Sequence, residues 1–383
     1  MKVDFIIVGA GIIGMTMALA LCRSGKKVAI IEKNLEKSLK INRVYTLSEK
    51  TKLFYQEIGL WDDILEINNL DGMSIYYRNL EKNNIISFSR NNNNNIGYIV
   101  QSKNIILALK ETLGKYKNFS LMDKSTVNSM EEFENSVKIK TDKNIEIEGK
   151  YLISCEGSNS KIKKDINIKN TYDDYKSIAL VFNIEHKIAN NNIAFQIFLE
   201  SGPIAFLPID NNNFSMVVSV KNKFASDKNF SKENICNYLE IISSGKFGKI
   251  QVKGEIASFN LMGFDSEKYK LNNILFVGDS AHGIHPLAGM GLNLGVSDII
   301  EIMKTIDSKS KIAGSKNFFS AYARRQKIIN KNARQQLKFI ERIYSIENSV
   351  VKNIIKITMQ NIQKSNYIKS AIVKHANNNL NFF

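Results

Sequence analysis

The chain has no run of about 18 uninterrupted apolar residues, the length a helix needs to cross a hydrocarbon core, so no transmembrane helix is expected. Cysteine is scarce: Cys22, Cys155 and Cys236 are the only three in 383 residues. They are widely separated, odd in number and without metal-ligand spacing, which points to core thiols in a reducing cytosol. No secretory signal is expected either, because Asp4 interrupts the apolar run of MKVDFIIVGAGIIG and that run passes straight into a turn. Acidic residues thin out towards the C-terminus. Residues 308–383 hold 15 Lys and Arg, among them Arg324, Arg325, Lys327, Lys331, Arg334 and Lys338, against Glu341 and Glu347, so 13 of the net +16 sit in the last fifth of the chain. A surface of that sign suits anionic lipid, an acidic partner or nucleic acid. The basic segments lack interleaved aromatics, so nucleic acid is not expected. Three prolines beside abundant Lys, Asn and Ile fit AT-rich coding equally well, which raises basicity with no function attached.

With 44% hydrophobic and 23% charged residues, the composition is that of a soluble globular chain long enough for two domains and an extension. Val3 to Val8 reads as a buried strand, followed at once by Gly9-Ala10-Gly11-Ile12-Ile13-Gly14, a helical stretch from Met15 to Ser24, and a second strand, Val28 to Ile31, ending at Glu32. This is the strand–turn–helix–strand setting that G-x-G-x-x-G needs to hold a dinucleotide: glycines for the turn and close pyrophosphate approach, then a carboxylate for a ribose hydroxyl. The acidic Glu32 favours an adenosine ribose without a 2′-phosphate, hence FAD or NAD. Leu47, Leu53, Phe54, Ile58, Leu60 and Trp61 read as core positions on a helix and its following turn. Ser102 to Lys115 is a further helix. Short strands at Phe119–Met122, Val137–Lys140 and Ile145–Ile147 are expected to form a small antiparallel element.

Tyr151 to Ser154 is another apolar strand, stopped by Cys155-Glu156-Gly157-Ser158-Asn159-Ser160-Lys161. With Lys163 and Lys164 beyond it, this turn suits a second nucleotide or is an ordinary connection. From Lys176 to Val220 the period changes to two, with strands at 178–184, 193–199, 204–207 and 214–220, then a helix at 232–243 and a strand at 251–260. Ile274 to Val277 leads into GDSAHGIHPLAGMGLNLGVSD, residues 278–298. Here Gly278 frees a turn, Asp279 offers an acceptor to ribose-like hydroxyls, and Gly289, Gly291 and Gly295 let backbone approach a phosphate or ring at a helix N-terminus. His282 and His285 are three apart with no third ligand nearby, so no metal is expected. Beyond Asp298 the pattern is helical, with an apolar stripe through Phe318, Tyr322, Ile329, Leu337 and Tyr344. Such stripes pack on their own domain or lie on a membrane surface.

Taken in order, GAGIIG with Glu32, CEGSNSKIKK and GDSAHGIHPLAGMGLNLGVSD resemble the single-component flavoprotein aromatic hydroxylases, and within them the ubiquinone-biosynthesis hydroxylases. The resemblance covers nearly the whole chain. It implies a fold like that of para-hydroxybenzoate hydroxylase: an α/β chain with a Rossmann-like FAD-binding domain (1–70, 97–175 and 270–310), an inserted mixed β-sheet substrate domain (71–96 and 176–269) and C-terminal helices (311–383).

It also implies that NADPH or NADH reduces the flavin, that O2 adds at flavin C4a, and that the hydroperoxide hydroxylates a polyprenylated phenol. Carried over as FAD contacts are Gly9, Ala10, Gly11, Ile13, Gly14, Glu32, Lys33, Arg43, Gln101, Val127 and Asp279, with Pro286, Gly289, Met290, Gly291, Leu292 and Asn293. His285 and Pro286 are expected at the reactive face. The family's third motif has Ala where this chain has Ser280 and Gln where it has Met290, and its middle motif has Asp where Glu156 stands. These departures keep open a catalytically impaired, flavin-binding assembly subunit. A halogenase is disfavoured by the single Trp61. Other ubiquinone-biosynthesis proteins and a membrane surface are the implied partners of a cytoplasmic protein, with contact at the inner face of the cytoplasmic membrane left open.

Overall fold

β-Branched and aromatic residues fill Lys2–Val8 and Val28–Ile31, and these two strands lie parallel at the centre of the first sheet. The computed structural model describes residues 1–40, 43–78, 85–89, 96–225, 230–284, 289–308, 315–346 and 348–377. Across this sheet the order is Lys270–Leu271, Ile274–Phe276, Glu146–Ser154, Lys2–Val8, Val28–Ile31 and Phe119–Met122. Along this path all neighbours are parallel except the outer Lys270–Leu271, and Val137–Thr141 and Val127–Glu132 join the sheet off it, antiparallel. Strands covered on both faces need apolar residues at every position, and Phe5, Ile6, Ile7 and Ala29, Ile30 and Ile31 are all buried.

Two expectations are corrected here. Phe119–Met122 is not part of an antiparallel element; it pairs parallel to Val28–Ile31. Ile145–Ile147 is not a separate strand, since Glu146–Ser154 runs unbroken, antiparallel to Val137–Thr141 at its start and parallel to Lys2–Val8 beyond. Alternation marks a strand but carries no sign of direction, and direction is set by which neighbour covers the edge.

The helix Ile12–Arg23 is apolar nearly all round, as a helix enclosed on every side must be. It packs against the Ser102–Gly114 and Gly291–Asp307 helices and the central strands. Ser48 starts the Glu49–Glu57 helix by accepting from Thr51 N–H. Leu53, expected in the core, is 56% exposed because it falls on that helix's outer face.

Among the described residues the second sheet has the order His282–Gly283, Ile250–Ser266, Asn170–His186, Asn213–Lys221, Gly202–Pro208, Ile193–Leu199, Gly72–Tyr77 and Ile85–Ser89. Only Ile193–Leu199 and Gly72–Tyr77 run parallel, which makes the sheet mixed. Register separates its faces. Phe182, Met216, Phe206 and Phe195 are successive cross-strand partners and pack into a core closed by Leu239 and Phe247. The adjacent row, Val181, Val217, Ala205, Gln196 and Ile75, occupies the opposite face. On that face Ala194, Leu207 and Met73 pack against Val44 and Ile99, which belong to the antiparallel ribbon of Val44–Leu47 and Tyr98–Gln101. The C-terminal helices Ser320–Ser345 and Ser349–Lys364 close the far end, where Tyr344 stacks on Phe198 at 3.8 Å and Ile355 and Met359 join Tyr77 and Phe88. No helix among the described residues is long and apolar enough to cross a membrane.

Candidate functional site

After Val8 the chain turns at Gly9 with φ +105°, a conformation that favours glycine. A Cβ on Gly9 would stand 2.5 Å from the Cys155 carbonyl oxygen, and one on Gly14 would stand 1.9 Å from the Gly9 carbonyl oxygen. Main chain fills both places. Gly11, between them, faces open space with nothing within 4 Å. It opens the Ile12–Arg23 helix, whose first turn has no side-chain cap. Glu32, at the end of the second strand, returns to this turn, accepting Ala10 N–H at 2.7 Å on Oε2 and Asn34 N–H at 2.7 Å on Oε1.

The Gly278 stretch comes to the same place. Ile13 is the pivot: a Cβ on Gly278 would meet it at 3.3 Å, and one on Gly295 at 2.6 Å. The first turns of two helices, Ile12–Arg23 and Gly291–Asp307, are therefore in contact. Gly291 repeats what Gly11 does, with open space at its α-carbon and no side-chain cap on its helix. Two uncapped helix N-termini with unhindered glycines concentrate N–H donors and partial positive charge.

Asp279, in the Gly278–Ser280 turn, keeps a solvent-reachable side chain although protein atoms surround it. That enclosure pushes its carboxyl above the usual carboxylate range, against the pull of His282 and Arg43, while Asp298 adds to the rise. Arg43 is exposed; its backbone N–H donates to Ser102 Oγ and its carbonyl accepts from Ser102 N–H. Gln101 pairs with Val44 next to it. Leu292 is buried in the first core and Met290 is half-buried at the helix start. Asn293 turns its side chain to the Arg43 ribbon: Oδ1 accepts from Ser48 N–H at 2.9 Å and Thr51 Oγ1–H at 2.7 Å, and Nδ2 donates to the Thr46 carbonyl at 2.8 Å. Lys33 is exposed beside Glu32. Val127 is buried on the other side of the sheet with Ile31 and Val137, and its carbonyl takes the Lys161 ammonium at 2.7 Å. His285 and Pro286 lie outside the described residues.

The middle motif is occupied by its own chain. Glu156 Oε2 accepts from Ser160 Oγ–H at 2.6 Å, Ser154 Oγ–H at 3.1 Å and Ile162 N–H at 3.2 Å. Lys163 is buried and donates to Asn170 Oδ1 at 2.7 Å and the Ser280 carbonyl at 2.8 Å. Burial pushes its ammonium down to about 8, with Asp265 and Glu156 pulling the other way. Ser280 Oγ accepts Gly157 N–H at 3.1 Å and so joins the second motif to the third. Ser280→Ala is expected to cost about 1 kcal/mol of stability by the loss of that bond, measurable as a lower midpoint in urea.

Sequence reasoning missed the knot behind this turn. Asp298 is fully buried and accepts from Gly278 N–H at 2.9 Å, His282 Nε2 at 2.8 Å, Gln326 Nε2 at 2.9 Å and Asn330 Nδ2 at 3.3 Å. Its signal was present: Gly291, Gly295 and Asp298 fall at helical spacing on one face. Burial opposes the His282 imidazolium, but Asp298, with Asp279 and Asp265 nearby, outweighs it and raises the histidine above its ordinary value.

The FAD binding domain family matches residues 2–336. The chain belongs to that family. This flavoprotein is 23% identical to the ubiquinone hydroxylase UbiM of Neisseria meningitidis over 337 residues, 84% of this chain and 72% of that protein. It is 27% identical to the mitochondrial ubiquinone biosynthesis monooxygenase COQ6 of Caenorhabditis elegans over 350 residues, 77% of each. The p-nitrophenol 4-monooxygenase PnpA from Pseudomonas putida DLL-E4 has the same fold, with a TM-score of 0.79 at 13% identity over 99% of this chain and 98% of that one. The α/β class with a mixed sheet and C-terminal helices is thus the flavoprotein's fold. The juncture of the two helix starts suits FAD: the open α-carbons of Gly11 and Gly291, on helices without side-chain caps, fit a pyrophosphate. Glu32 and the exposed Asp279 offer acceptors to hydroxyls.

Proposed function

We propose that this flavoprotein is a monooxygenase that uses NADPH or NADH and O2 to hydroxylate the aromatic ring of a polyprenylated phenol in ubiquinone biosynthesis. Bound FAD supplies the redox chemistry, taking electrons from the nicotinamide and activating O2. The protein supplies position and a dry site. In this reading Gly9, Ala10, Gly11, Ile13 and Gly14 shape the pyrophosphate seat, Glu32 and Lys33 hold the adenosine ribose, and Asp279 takes the flavin's polyol. Arg43 and Gln101 complete the cofactor set, together with Gly289, Met290, Gly291 and Leu292; Asn293, whose amide is spent on Thr46, Ser48 and Thr51, and Val127, across the sheet, would join it through backbone groups alone. His285 and Pro286 face the reacting ring.

The observation that carries the reading is the row Val181, Val217, Ala205, Gln196 and Ile75, half-buried except for the buried Gln196, on the sheet face that packs against the Arg43 ribbon. An apolar roof excludes water and accepts an aromatic ring with a hydrocarbon tail. In this reading Gln196, its polar member, would bond a ring hydroxyl. The enzyme works in the cytoplasm, peripherally at the inner face of the cytoplasmic membrane, beside other proteins of the same route.

Purified protein is expected to be yellow, to bleach anaerobically with NADPH or NADH, and to return one hydroxyl to a short-tailed prenyl phenol on admitting O2. Bound FAD that no nicotinamide bleaches would overturn the enzyme and favour a flavin-binding assembly subunit. Asp279→Asn separates cofactor binding from folding. The Asp279 carboxyl is raised, so its ionised form opposes folding above that pKa and the opposition fades as pH falls. The Asn variant is therefore expected to melt no lower than wild type as apoprotein at pH 7, yet to hold FAD about tenfold less tightly, the loss of one hydrogen bond to a charged acceptor. Full FAD occupancy in that variant would remove Asp279 from the cofactor set.

A further inference from the structure

The Ser349–Lys364 helix has one apolar face more than the fold uses. Ile355 and Met359 bury themselves against Tyr77 and Phe88 of the second sheet, with Val351 and Ile362 beside them, and Gln363 Oε1 accepts Ser87 N–H at 2.7 Å to fix the helix there. Val350, Ile354 and Ile357, spaced i, i+4 and i+7, form a different face. They are 63%, 56% and 57% exposed. The following helix, Asn366–Asn377, packs on this one and adds Tyr367, 85% exposed, with Ile368 and Ile372. Large apolar side chains grouped in this way on two consecutive helices mark a contact surface, unlike singly scattered ones.

The charge around them selects the occupant. From Asn348 to Phe383 there are five lysines, Lys352 to Lys374, and no acidic residue. Two copies of such a face would oppose like charge to like charge, which disfavours self-association. An apolar stripe flanked only by lysine matches the boundary of an anionic bilayer, where the stripe enters the acyl region and each ammonium meets a phosphate.

We infer that the hairpin of Ser349–Lys364 and Asn366–Asn377 is the surface by which this protein rests on anionic lipid, through Val350, Ile354, Ile357 and Tyr367. This deepens the peripheral location proposed above and does not depend on the reaction. Because the same helix packs its other face on Gly72–Tyr77 and Ile85–Ser89, docking brings that edge of the roof sheet to the lipid. A phenol with a prenyl tail can then pass from bilayer to roof without crossing water.

The test floats the FAD-loaded full chain on phosphatidylcholine vesicles with and without phosphatidylglycerol. Binding to the anionic vesicles is expected to exceed binding to the neutral ones by about tenfold or more, and to weaken as salt is added. The double variant Ile354→Asp with Ile357→Asp leaves Ile355 and Met359 in place, and is expected to lose about tenfold or more of the binding with melting temperature and NADPH bleaching unchanged. A second variant, Lys364→Gln with Lys369→Gln and Lys374→Gln, is expected to lose the preference for anionic lipid while keeping its fold. Absence of vesicle binding, wild-type binding to anionic vesicles by either variant, or a dimer in sedimentation velocity that Ile354→Asp with Ile357→Asp splits would each overturn the inference. Any of these with bleaching intact leaves the reaction standing.

Discussion

Gly11→Ala is expected to purify folded and colourless. The added methyl has no atom of the chain within 4 Å, and Gly11 caps its helix at φ −69°, which alanine adopts without strain although it is the poorer cap. The apoprotein should therefore fold and melt within about 2 °C of wild type, the poorer cap being offset in part by the stiffer unfolded chain. The same methyl would enter the space assigned to the pyrophosphate, where filling a close-fitting contact costs about 1–3 kcal/mol. FAD affinity should fall by roughly 10- to 100-fold. Measured as the ratio of flavin to protein absorbance and by titration of the apoprotein, that loss assigns the space to the cofactor; unchanged affinity would move the pyrophosphate elsewhere. Gly14→Ala makes the contrast. Its methyl would stand 1.9 Å from the Gly9 carbonyl oxygen, so main chain must shift and stability falls together with FAD.

Asp298→Asn is the larger effect on the fold. The carboxylate takes Gly278 N–H, His282, Gln326 and Asn330 at once. An amide of the same shape has one oxygen, and turns an NH2 towards donors. Losing one partner of a buried ion pair costs about 3–5 kcal/mol, enough to shift a denaturation midpoint severalfold beyond the Ser280→Ala change. The pH dependence gives the signature. His282 is raised above 6.5 in the folded protein, so its pairing with Asp298 contributes fully below pH 6.5 and is lost as pH rises through the raised value. The gap in stability between wild type and Asp298→Asn should therefore be widest in mild acid and narrow towards alkaline pH. A gap constant with pH would mean that His282 stays neutral throughout. FAD should also bind less tightly, because the freed Gly278 N–H anchors the turn that carries Asp279.

Much of the first sheet was legible because its strands are short apolar runs next to glycine, and a strand buried on both faces has nowhere to put a polar residue. What could not be read was pairing. Phe119–Met122 has the composition of any strand, and only Val28–Ile31 beside it makes it parallel. At the site, the glycine spacing announced a turn, a helix start and room for a phosphate, since Gly9 and Gly14 serve close backbone approach. The side chains were less legible. Asn293 lies within a glycine-rich stretch and reads as a ligand contact, yet its amide is spent on Thr46, Ser48 and Thr51. Lys163 looks like a surface charge in a basic cluster, yet it is enclosed between Asn170 and the Ser280 carbonyl. Gln326 and Asn330 sit in an ordinary amphipathic stripe, and nothing local says that their partner is a carboxylate 28 and 32 residues earlier.

The order of strands in the first sheet also fixes when the chain can fold. Glu146–Ser154 lies between Lys2–Val8 and Ile274–Phe276, and each contact spans more than a hundred residues. As the protein leaves the ribosome, the central strand Lys2–Val8 can pair early with Val28–Ile31 but waits about 145 residues for its other neighbour, and the sheet remains unfinished until residue 276 has emerged. Parallel pairing at such separations is slow and leaves apolar edges uncovered in the meantime. The Gly9 turn, which packs on Cys155, and the Gly291 helix start, which follows the last of these strands, can therefore meet only after most of the chain has been made.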